Sequence, residues 1–272
     1  MIFPSLTWVL LVVSLLGCAI GFKKYIYFLS VGYGFSVALL GLTIGVIALV
    51  TGSATPGVIL CALVTLGYGL RLSIFLWQRE RKSLSYKKTL DSQTSKPMPL
   101  FVMVVMWLMV AVLYVMQVSP LWYRAAGNMA GDSKGEVLCY VGAVIMALGA
   151  VIEALADKQK SEQKKENPHM AATKGLYKMV RCPNYFGEIL FWTGMLLSGL
   201  NVLQGWQWVI SLFGYICIVF IMVDGAARLE KRQNKNYGHL KEYQEYCAKT
   251  PILLPLIPLY HINMNFGKKE AK

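Results

Sequence analysis

Charged residues are scarce in this sequence, and acidic residues are scarcer than basic ones. Of its 272 residues only 15% are charged, with 14 Asp and Glu against 27 Lys and Arg. Hydrophobic residues make up 56% of the chain, and the mean hydropathy is +0.49. Because a soluble globular domain usually carries about 25% charged residues, this composition excludes that class. It predicts a protein whose solvent is largely lipid.

The patterns of metal sites, disulfide frameworks and Rossmann domains are also missing. The chain has three histidines and six cysteines, which are dispersed and include no C-x-x-C pair. A zinc site would place such ligands at short, regular spacings. We therefore predict no metal site and interpret the cysteines as small buried residues. No G-x-G-x-x-G motif follows a strand pattern, so we expect no Rossmann domain.

Long apolar runs dominate what is present. A helix needs roughly 20 apolar residues to cross a bilayer, and the sequence offers about seven such runs. They cover residues 6–22, 25–50, 56–78, 98–119, 136–156, 185–200 and 206–223. The sixth run is short, so it either extends back over Pro183 and Asn184 or tilts less than its neighbours. We predict an all-α, polytopic membrane protein of about seven transmembrane helices.

The connections between these runs alternate in charge. Cations cluster after the first, third and fifth runs, whereas the intervening connections hold few. The clustered cations are Lys23, Lys24, Arg79, Arg81, Lys82, Lys87, Lys88, Lys96, Lys158, Lys160, Lys164, Lys165, Lys174, Lys178 and Arg181. By the positive-inside rule the N-terminus is outside and the C-terminal tail is cytoplasmic. The net charge of +13 is then a consequence of topology, and we predict no nucleic-acid partner.

Tyr68 and Arg71 are polar residues inside the third run. Three residues apart, they share one face of a helix. One interpretation is a packing tyrosine beside an arginine whose charge reaches the membrane surface. The other is a phenolic donor deep in a pocket, with a cation nearer its mouth.

Glu153 and Asp157 lie four residues apart at the inner end of the fifth run. Two like charges at this spacing destabilise a helix slightly. Lys160 and Lys164 continue the same face and could neutralise them. Alternatively, the two carboxylates accept hydrogen bonds from a bound cofactor.

The segment 174–188, KGLYKMVRCPNYFGE, is the densest polar pattern of the chain. Proline is tolerated at the start of a helix, so Pro183 predicts that the sixth helix begins there. Asn184 and Glu188 would then share a face one turn apart, where an amide and a carboxylate can bind a neutral amide group. Lys178 and Arg181, just before this helix, could hold phosphates.

This segment resembles the signature of the membrane steroid 5-alpha-reductase family. The resemblance lies in residues 175–177, GLY, and in residues 181–188, RCPNYFGE. The family usually has Arg-His-Pro-Asn-Tyr-x-Gly-Glu, so Cys182 departs from its pattern. Tyr68 and Arg71 look like the family's catalytic tyrosine and the arginine that follows it.

The resemblance implies NADPH-dependent reduction of the carbon–carbon double bond of a lipid-soluble enone, expected to be a 3-oxo-delta-4 steroid. Tyr68 would polarise the carbonyl while hydride adds to the β-carbon, a reaction of steroid and lipid metabolism. The residues implied for cofactor binding are Arg71, Arg79, Lys82, Glu153, Asp157, Lys164, Arg181, Asn184, Tyr185, Glu188, Arg228 and Tyr237.

The resemblance also implies the domain organisation and the location of the site. Residues 1–272 would form a single transmembrane reductase domain, in which residues 224–272 are a cytoplasmic tail that closes the cofactor site. The compact loops favour a bacterial inner membrane, with the endoplasmic reticulum as an alternative. The expected partners are a steroid or other enone and membrane lipid.

One departure from the family concerns the second run, residues 25–50, which contains no Asp or Glu. Vertebrate members of the family place a catalytic glutamate in the second helix. The assisting acid is therefore missing here or comes from another segment. Ser30 and Tyr33 lie near the corresponding place in the sequence.

Two other functions stay open. The isoprenylcysteine carboxyl methyltransferases share this topology and a similar Arg-His-Pro-x-Tyr-x-Gly loop, but they bind S-adenosylmethionine. Asn184 after the proline favours a reductase, and the tail has one acid, Glu230, where methyltransferases usually carry paired glutamates. The second alternative is a transporter or scaffold, although the halves of the chain show no repeat.

Overall fold

The structure, a computed structural model, describes residues 4–82, 91, 98–127 and 133–262. Throughout these ranges the regular elements are helices, and no strand occurs among them. The all-α prediction is therefore confirmed for the described residues. Three cations of the predicted cytoplasmic loops, Lys87, Lys88 and Lys96, lie outside them.

Of the α-helices in the described residues, the first seven coincide with the apolar runs and the eighth lies in the polar tail. They are α1 Thr7–Cys18, α2 Val31–Val50, α3 Pro56–Lys82, α4 Leu100–Ala126, α5 Ser133–Glu166, α6 Pro183–Ser198, α7 Trp206–Tyr237 and α8 Lys241–Lys249. Short 3₁₀ helices cover Ala19–Phe22, Tyr25–Leu29 and Gly175–Lys178.

Five of the described helices, α2 to α5 and α7, are long and apolar enough to cross a membrane. The polytopic membrane class is therefore confirmed. The first run forms a shorter apolar helix over Thr7–Phe22, and the sixth begins at Pro183, as the proline indicated. The total of seven spans and their orientation stay predictions.

Three helices extend past the predicted ends of their apolar runs. Helix α3 continues to Lys82, α5 to Glu166 and α7 to Tyr237. The added turns are rich in Lys, Arg, Glu and Gln, which are good helix formers. Helix propensity therefore accounts for these three extensions, whereas hydropathy had located only the apolar part.

The chain divides into two compact units. Unit 1 comprises Met1–Met146 and Thr193–Tyr215, and unit 2 comprises Ala147–Trp192 and Ile216–Lys272. The prediction of one reductase domain over residues 1–272 stays a prediction.

In unit 1, α2 and α3 approach so closely that side chains are excluded between them. A Cβ atom on Gly69 would lie 2.4 Å from the backbone nitrogen of Ala38, and one on Gly34 would lie 2.4 Å from Oγ of Ser73. Ser73 Oγ in turn donates a hydrogen bond to the carbonyl of Val31 at 3.0 Å. Small residues commonly allow such contact between membrane helices. This packing fixes the part of α3 that carries Tyr68.

In unit 2, α5 and α6 cross at a pair of glycines. A Cβ atom on Gly187 would lie 2.6 Å from the carbonyl oxygen of Gly149 and 2.8 Å from the nitrogen of Glu153. A Cβ atom on Gly149 would lie 2.5 Å from the carbonyl oxygen of Gly187. The glycine of the signature segment therefore brings the backbone of α6 against the turn of α5 that carries Glu153.

We expect Gly187→Ala to destabilise the protein by about 1–3 kcal/mol, the usual cost of overpacking. The added methyl group meets backbone atoms, which cannot rotate away as a side chain can. Thermal unfolding of the purified protein in detergent measures the effect. Gly67→Ala is the control, because a Cβ atom there meets nothing within 4 Å. Equal melting temperatures for the two variants would contradict the prediction.

Candidate active site

The loop that leads into α6 is held by the end of α5. Gly175 has a φ of +68°, in the left-handed region that favours glycine. The backbone amide of the next residue, Leu176, donates a hydrogen bond to Oε1 of Gln159 at 2.9 Å. One turn further along α5, Oε1 of Gln163 accepts the amides of Thr173 and Lys174, both at 2.9 Å. Two glutamines therefore fix the start of the signature segment.

The tail of the chain holds the end of the same loop. The amide of Arg181 donates to the carbonyl of Pro251 at 2.9 Å, and the amide of Cys182 donates to the carbonyl of Ile252, also at 2.9 Å. The amide of Ile252 in turn donates to the carbonyl of Leu259 at 2.8 Å. The two residues before Pro183 are thus positioned by the tail, and so is the start of α6.

Tyr177 links the loop to both α5 and the tail. Its hydroxyl donates to the carbonyl of Ala156 at 3.2 Å, and its own carbonyl accepts the hydroxyl of Tyr246 at 2.6 Å. Burial raises the pKa of both phenols, so each stays protonated and can keep donating. Burial likewise raises the pKa of the Cys182 thiol to about 12. The thiol therefore stays protonated at neutral pH and serves as a packing residue.

Arg181 forms a buried ion pair with Glu230 of α7. The two side chains are 2% and 0% exposed, and Nη2 of Arg181 lies 2.9 Å from Oε1 of Glu230. The guanidinium also donates to Sγ of Cys247 at 3.2 Å and to the carbonyl of Tyr260. Burial alone would lower the pKa of Arg181, but Cys247 and Glu230 outweigh it and raise the pKa. The guanidinium therefore makes its ion pair and these hydrogen bonds with residues of the tail.

Glu230 completes this cluster with contacts to the tail. Its Oε1 lies 3.0 Å from Nδ1 of His261, and its Oε2 accepts the amide of Ile262 at 3.1 Å. Sequence reasoning expected Arg181 at the cofactor and used Glu230 only to weigh against a methyltransferase. Their pairing was missed because two single charges far apart in sequence give no signal of contact. Cofactor binding by Arg181 stays a prediction.

Asn184 and Glu188 lie one turn apart on α6, as predicted. Glu188 is buried, and Oδ1 of Asn184 is buried without a hydrogen-bond donor among the described residues. A buried carbonyl oxygen without a donor is costly. Glu153 and Asp157, on α5, are buried as well. The described part of unit 2 therefore contains four buried carboxyl groups, those of Glu153, Asp157, Glu188 and Glu230, and one amide oxygen without a donor among the described residues.

Lys164 reaches the end of α7. Its Nζ lies 2.6 Å from the hydroxyl of Tyr237 and 3.2 Å from the carbonyl of Pro168, and it also contacts the carbonyl of Met170. Two predicted cofactor residues, Lys164 and Tyr237, are therefore brought together. These contacts favour a different role for Lys164 from neutralising the carboxylates of α5.

Two further predicted residues of unit 2 have local partners. Arg228 forms an exposed ion pair with Asp224, one turn earlier in α7. The ring of Tyr185 packs near Gly225, where a Cβ atom would lie 3.3 Å from Cζ of the tyrosine.

In unit 1, the predicted residues Tyr68, Arg71, Arg79 and Lys82 all lie on α3. Tyr68 is 2% exposed, and the guanidinium carbon of Arg71 lies 5.8 Å from the centre of its ring. A cation this close to an aromatic ring is attracted to it. The structure therefore places an arginine beside a buried phenol, and the roles of both residues stay predictions.

The second run has no acidic residue of its own, but the carboxylate of Glu80 on α3 lies at its start. The hydroxyl of Tyr27 lies 2.7 Å from both carboxylate oxygens of Glu80, and Nζ of Lys24 lies 2.8 Å from Oε1. Glu80 was missed because it looked like one charge in a basic helix end. It follows Tyr68 by about 18 Å along the helix axis, which separates the two residues by more than three turns of α3.

The two residues considered for the missing acid have other contacts. Ser30 donates to the carbonyl of Ile26 at 2.9 Å. Tyr33 packs against Tyr114, with ring centres 5.1 Å apart, and the hydroxyl of Tyr114 donates to the carbonyl of Phe28 at 2.6 Å.

Comparison with known proteins gives one family and a small set of named relatives. A family model described as a protein of unknown function, DUF1295, matches residues 22–250. A 3-oxo-5-alpha-steroid 4-dehydrogenase 1 from Bos taurus is 23% identical over 188 residues, which are 68% of this chain and 66% of the relative. No solved structure matches the chain.

Two plant proteins, both named steroid 5-alpha-reductase DET2, match shorter parts. The protein from Gossypium hirsutum is 33% identical over 113 residues, 39% of this chain and 42% of the relative. The protein from Arabidopsis thaliana is 32% identical over 80 residues, 28% of each chain. The chain thus spans less than two thirds of the length of each of these three relatives.

Proposed function

Because the chain belongs to the steroid 5-alpha-reductase-like family DUF1295, we propose that it reduces the carbon–carbon double bond of a lipid-soluble enone, with NADPH as the cofactor. This membership confirms the resemblance read from residues 175–188. The proposed substrate is a 3-oxo-delta-4 steroid, in keeping with the names of the relatives. The site would face the cytoplasm of a bacterial inner membrane.

The observation that carries the proposal is the polar pair on α6. Within the described part of the chain no donor reaches the buried Oδ1 of Asn184, and the carboxylate of Glu188 follows one turn later on the same face. Oδ1 of Asn184 and a carboxylate oxygen of Glu188 would accept hydrogen bonds from the amide group of a nicotinamide ring. When bound there, NADPH supplies the hydride.

Other residues of unit 2 fit the rest of such a cofactor. Glu153 and Asp157 are acceptors for hydroxyl groups, and Lys164 holds the hydroxyl of Tyr237 at 2.6 Å. Arg228, with its side chain largely exposed, offers a guanidinium that can contact phosphate oxygens in pairs. Residues 224–262 pack on the loop before α6, which supports the proposal that the tail closes the cofactor site.

Tyr68 would act on the substrate carbonyl. A phenol is protonated at neutral pH, so its hydroxyl can donate to the carbonyl oxygen of the enone. Hydride addition to the β-carbon places negative charge on that oxygen, and a fixed donor stabilises this charge. A proton added to the α-carbon then completes the saturated ketone. The neighbouring Arg71 favours the same charge.

Ligand-induced thermal stabilisation of the detergent-purified protein tests the cofactor. We expect NADPH to raise the melting temperature of the native protein but not of Asn184→Ala/Glu188→Ala. The control is Glu162→Ala/Glu245→Ala, which removes two exposed carboxylates of unit 2 and should keep the response. Stabilisation by S-adenosylmethionine alone would overturn the proposal in favour of a methyltransferase, and no response to either would favour a transporter or scaffold.

A further inference from the structure

Near the end of its described residues, the tail forms an apolar loop whose side chains are largely uncovered. Residues 251–260 have the sequence PILLPLIPLY, and we call them the apolar tail loop. Leu256 is 95% exposed, and Ile257, Leu259 and Tyr260 are exposed as well. A contiguous apolar surface on a folded protein usually marks a contact with another protein or with a membrane.

The backbone of the apolar tail loop is closed on itself. The amide of Ile252 donates to the carbonyl of Leu259 at 2.8 Å across the base of the loop, and the amide of Ile257 donates to the carbonyl of Leu254 at 3.3 Å. Three of its ten residues are prolines, which have no amide hydrogen to satisfy. Because an apolar medium penalises each unpaired backbone donor, few such donors make entry into lipid less costly for this loop.

Two helices of unit 2 hold the base of the loop close to the membrane surface. The amides of the two residues before α6, the predicted sixth span, donate to the carbonyls of Pro251 and Ile252 at 2.9 Å. On α7, Glu230 contacts His261, which follows the loop. Glu230 lies past Val223, the last residue of the seventh apolar run, by about 10 Å along the helix axis. The headgroup region is roughly 5–8 Å thick on each side of a bilayer, so these contacts place the loop beside the headgroups.

Exposed cations accompany the apolar tail loop. Lys249 lies two residues before Pro251, and Lys178 lies three residues before Arg181, whose amide bonds to Pro251. Basic residues at a membrane surface are attracted to anionic headgroups. An apolar loop with lysines at its base therefore matches the layered chemistry of a leaflet, in which charged headgroups cover the acyl chains.

We infer that the apolar tail loop inserts into the membrane surface, with Leu256 and Ile257 among the upper acyl chains of the leaflet where α6 begins. The partner is lipid of the same bilayer, because α6 and α7 fix the base of the loop at the level of the headgroups. The inference does not depend on the proposed reaction. The inserted loop attaches the tail to the membrane beyond α7, and its backbone bonds to Arg181 and Cys182 pass this attachment on to the loop before α6.

Fluorescence quenching of the full-length protein in lipid nanodiscs of phosphatidylethanolamine and phosphatidylglycerol tests the inference. A bimane dye is attached to Leu256→Cys and, in a matched control, to Lys241→Cys at an exposed position of α8. Five of the six native cysteines are buried, and the native protein treated with the dye gives the background. An inserted apolar surface lies roughly 5–10 Å into the boundary between headgroups and acyl chains, so iodide should quench the dye at position 256 about tenfold less than at position 241. Lipids that carry a nitroxide near the top of the acyl chain should quench it more strongly at position 256.

Two results would overturn the inference. Equal quenching by iodide at positions 256 and 241 would place the apolar tail loop in water. Protection from both iodide and the lipid nitroxide would mean that protein covers the loop, either a second copy of the chain or another partner. Ile257→Cys should give the same pattern as Leu256→Cys, and iodide quenching there at the level of position 241 would equally contradict insertion.

Discussion

Tyr68→Phe is expected to lower kcat for enone reduction by about 10²–10³-fold, the usual cost of removing one donor to a developing oxyanion. The phenyl ring keeps the packing of a side chain that is 2% exposed, so folding should be preserved. Affinity for NADPH should also be unchanged, because the proposed contact is with the substrate. The loss would then appear in the chemical step.

The measurement is consumption of NADPH by the purified protein with a 3-oxo-delta-4 steroid. Tyr140→Phe is the matched control, since Tyr140 is a partly exposed tyrosine of α5 with no proposed role. A Tyr68→Phe protein with native kcat would remove Tyr68 from the mechanism, although a reductase using another donor could still be present.

Glu230→Ala is expected to destabilise unit 2 by about 3–5 kcal/mol, the usual cost of breaking a buried ion pair by removing one partner. The guanidinium of Arg181 would be left charged in a site where its exposure is 2%. The contacts of Glu230 with His261 and Ile262 would be lost with it. We expect a lower melting temperature and faster proteolysis of the tail.

Arg181→Met/Glu230→Leu separates the charge effect from simple loss of packing. Replacing both partners by apolar residues of similar size leaves no buried charge, and such exchanges are often neutral. We therefore expect the double variant to be more stable than Glu230→Ala. If the two proteins unfold at the same temperature, the pair does not act as a buried salt bridge. A double variant with the native melting temperature that binds NADPH weakly would support the prediction that Arg181 contacts the cofactor.

Features that depend on one helix could be predicted from the sequence, whereas contacts between distant segments could not. The start of α6 at Pro183 and the shared face of Asn184 and Glu188 follow from local geometry. The pairing of Arg181 with Glu230 and the reach of Glu80 to Tyr27 depend on how the helices pack. The apolar run was ended at residue 156 although α5 continues to Glu166, because hydropathy reports the membrane and not the helix.

The position of Gly187 shows how far a local signal can lead. In the sequence it is one residue of the signature segment. In the structure a Cβ atom at this position would lie 2.6 Å from the carbonyl oxygen of Gly149 on α5, which explains the glycine. Lys164 shows the opposite case. Its place on the helix face of Glu153 and Asp157 suggested that it could neutralise their carboxylates, but its ammonium contacts Tyr237, because a long flexible side chain reaches partners that helix periodicity does not describe.

The hydrogen bonds between the loop before α6 and the tail constrain the order in which these segments can fold during synthesis. A ribosome makes Arg181 and Cys182 well before it makes their partners Pro251 and Ile252. During that interval α7 and α8 are still being synthesised, so the two amides must be satisfied by water or by transient contacts. The loop before α6 therefore reaches its final hydrogen-bonded arrangement only after the tail has been synthesised.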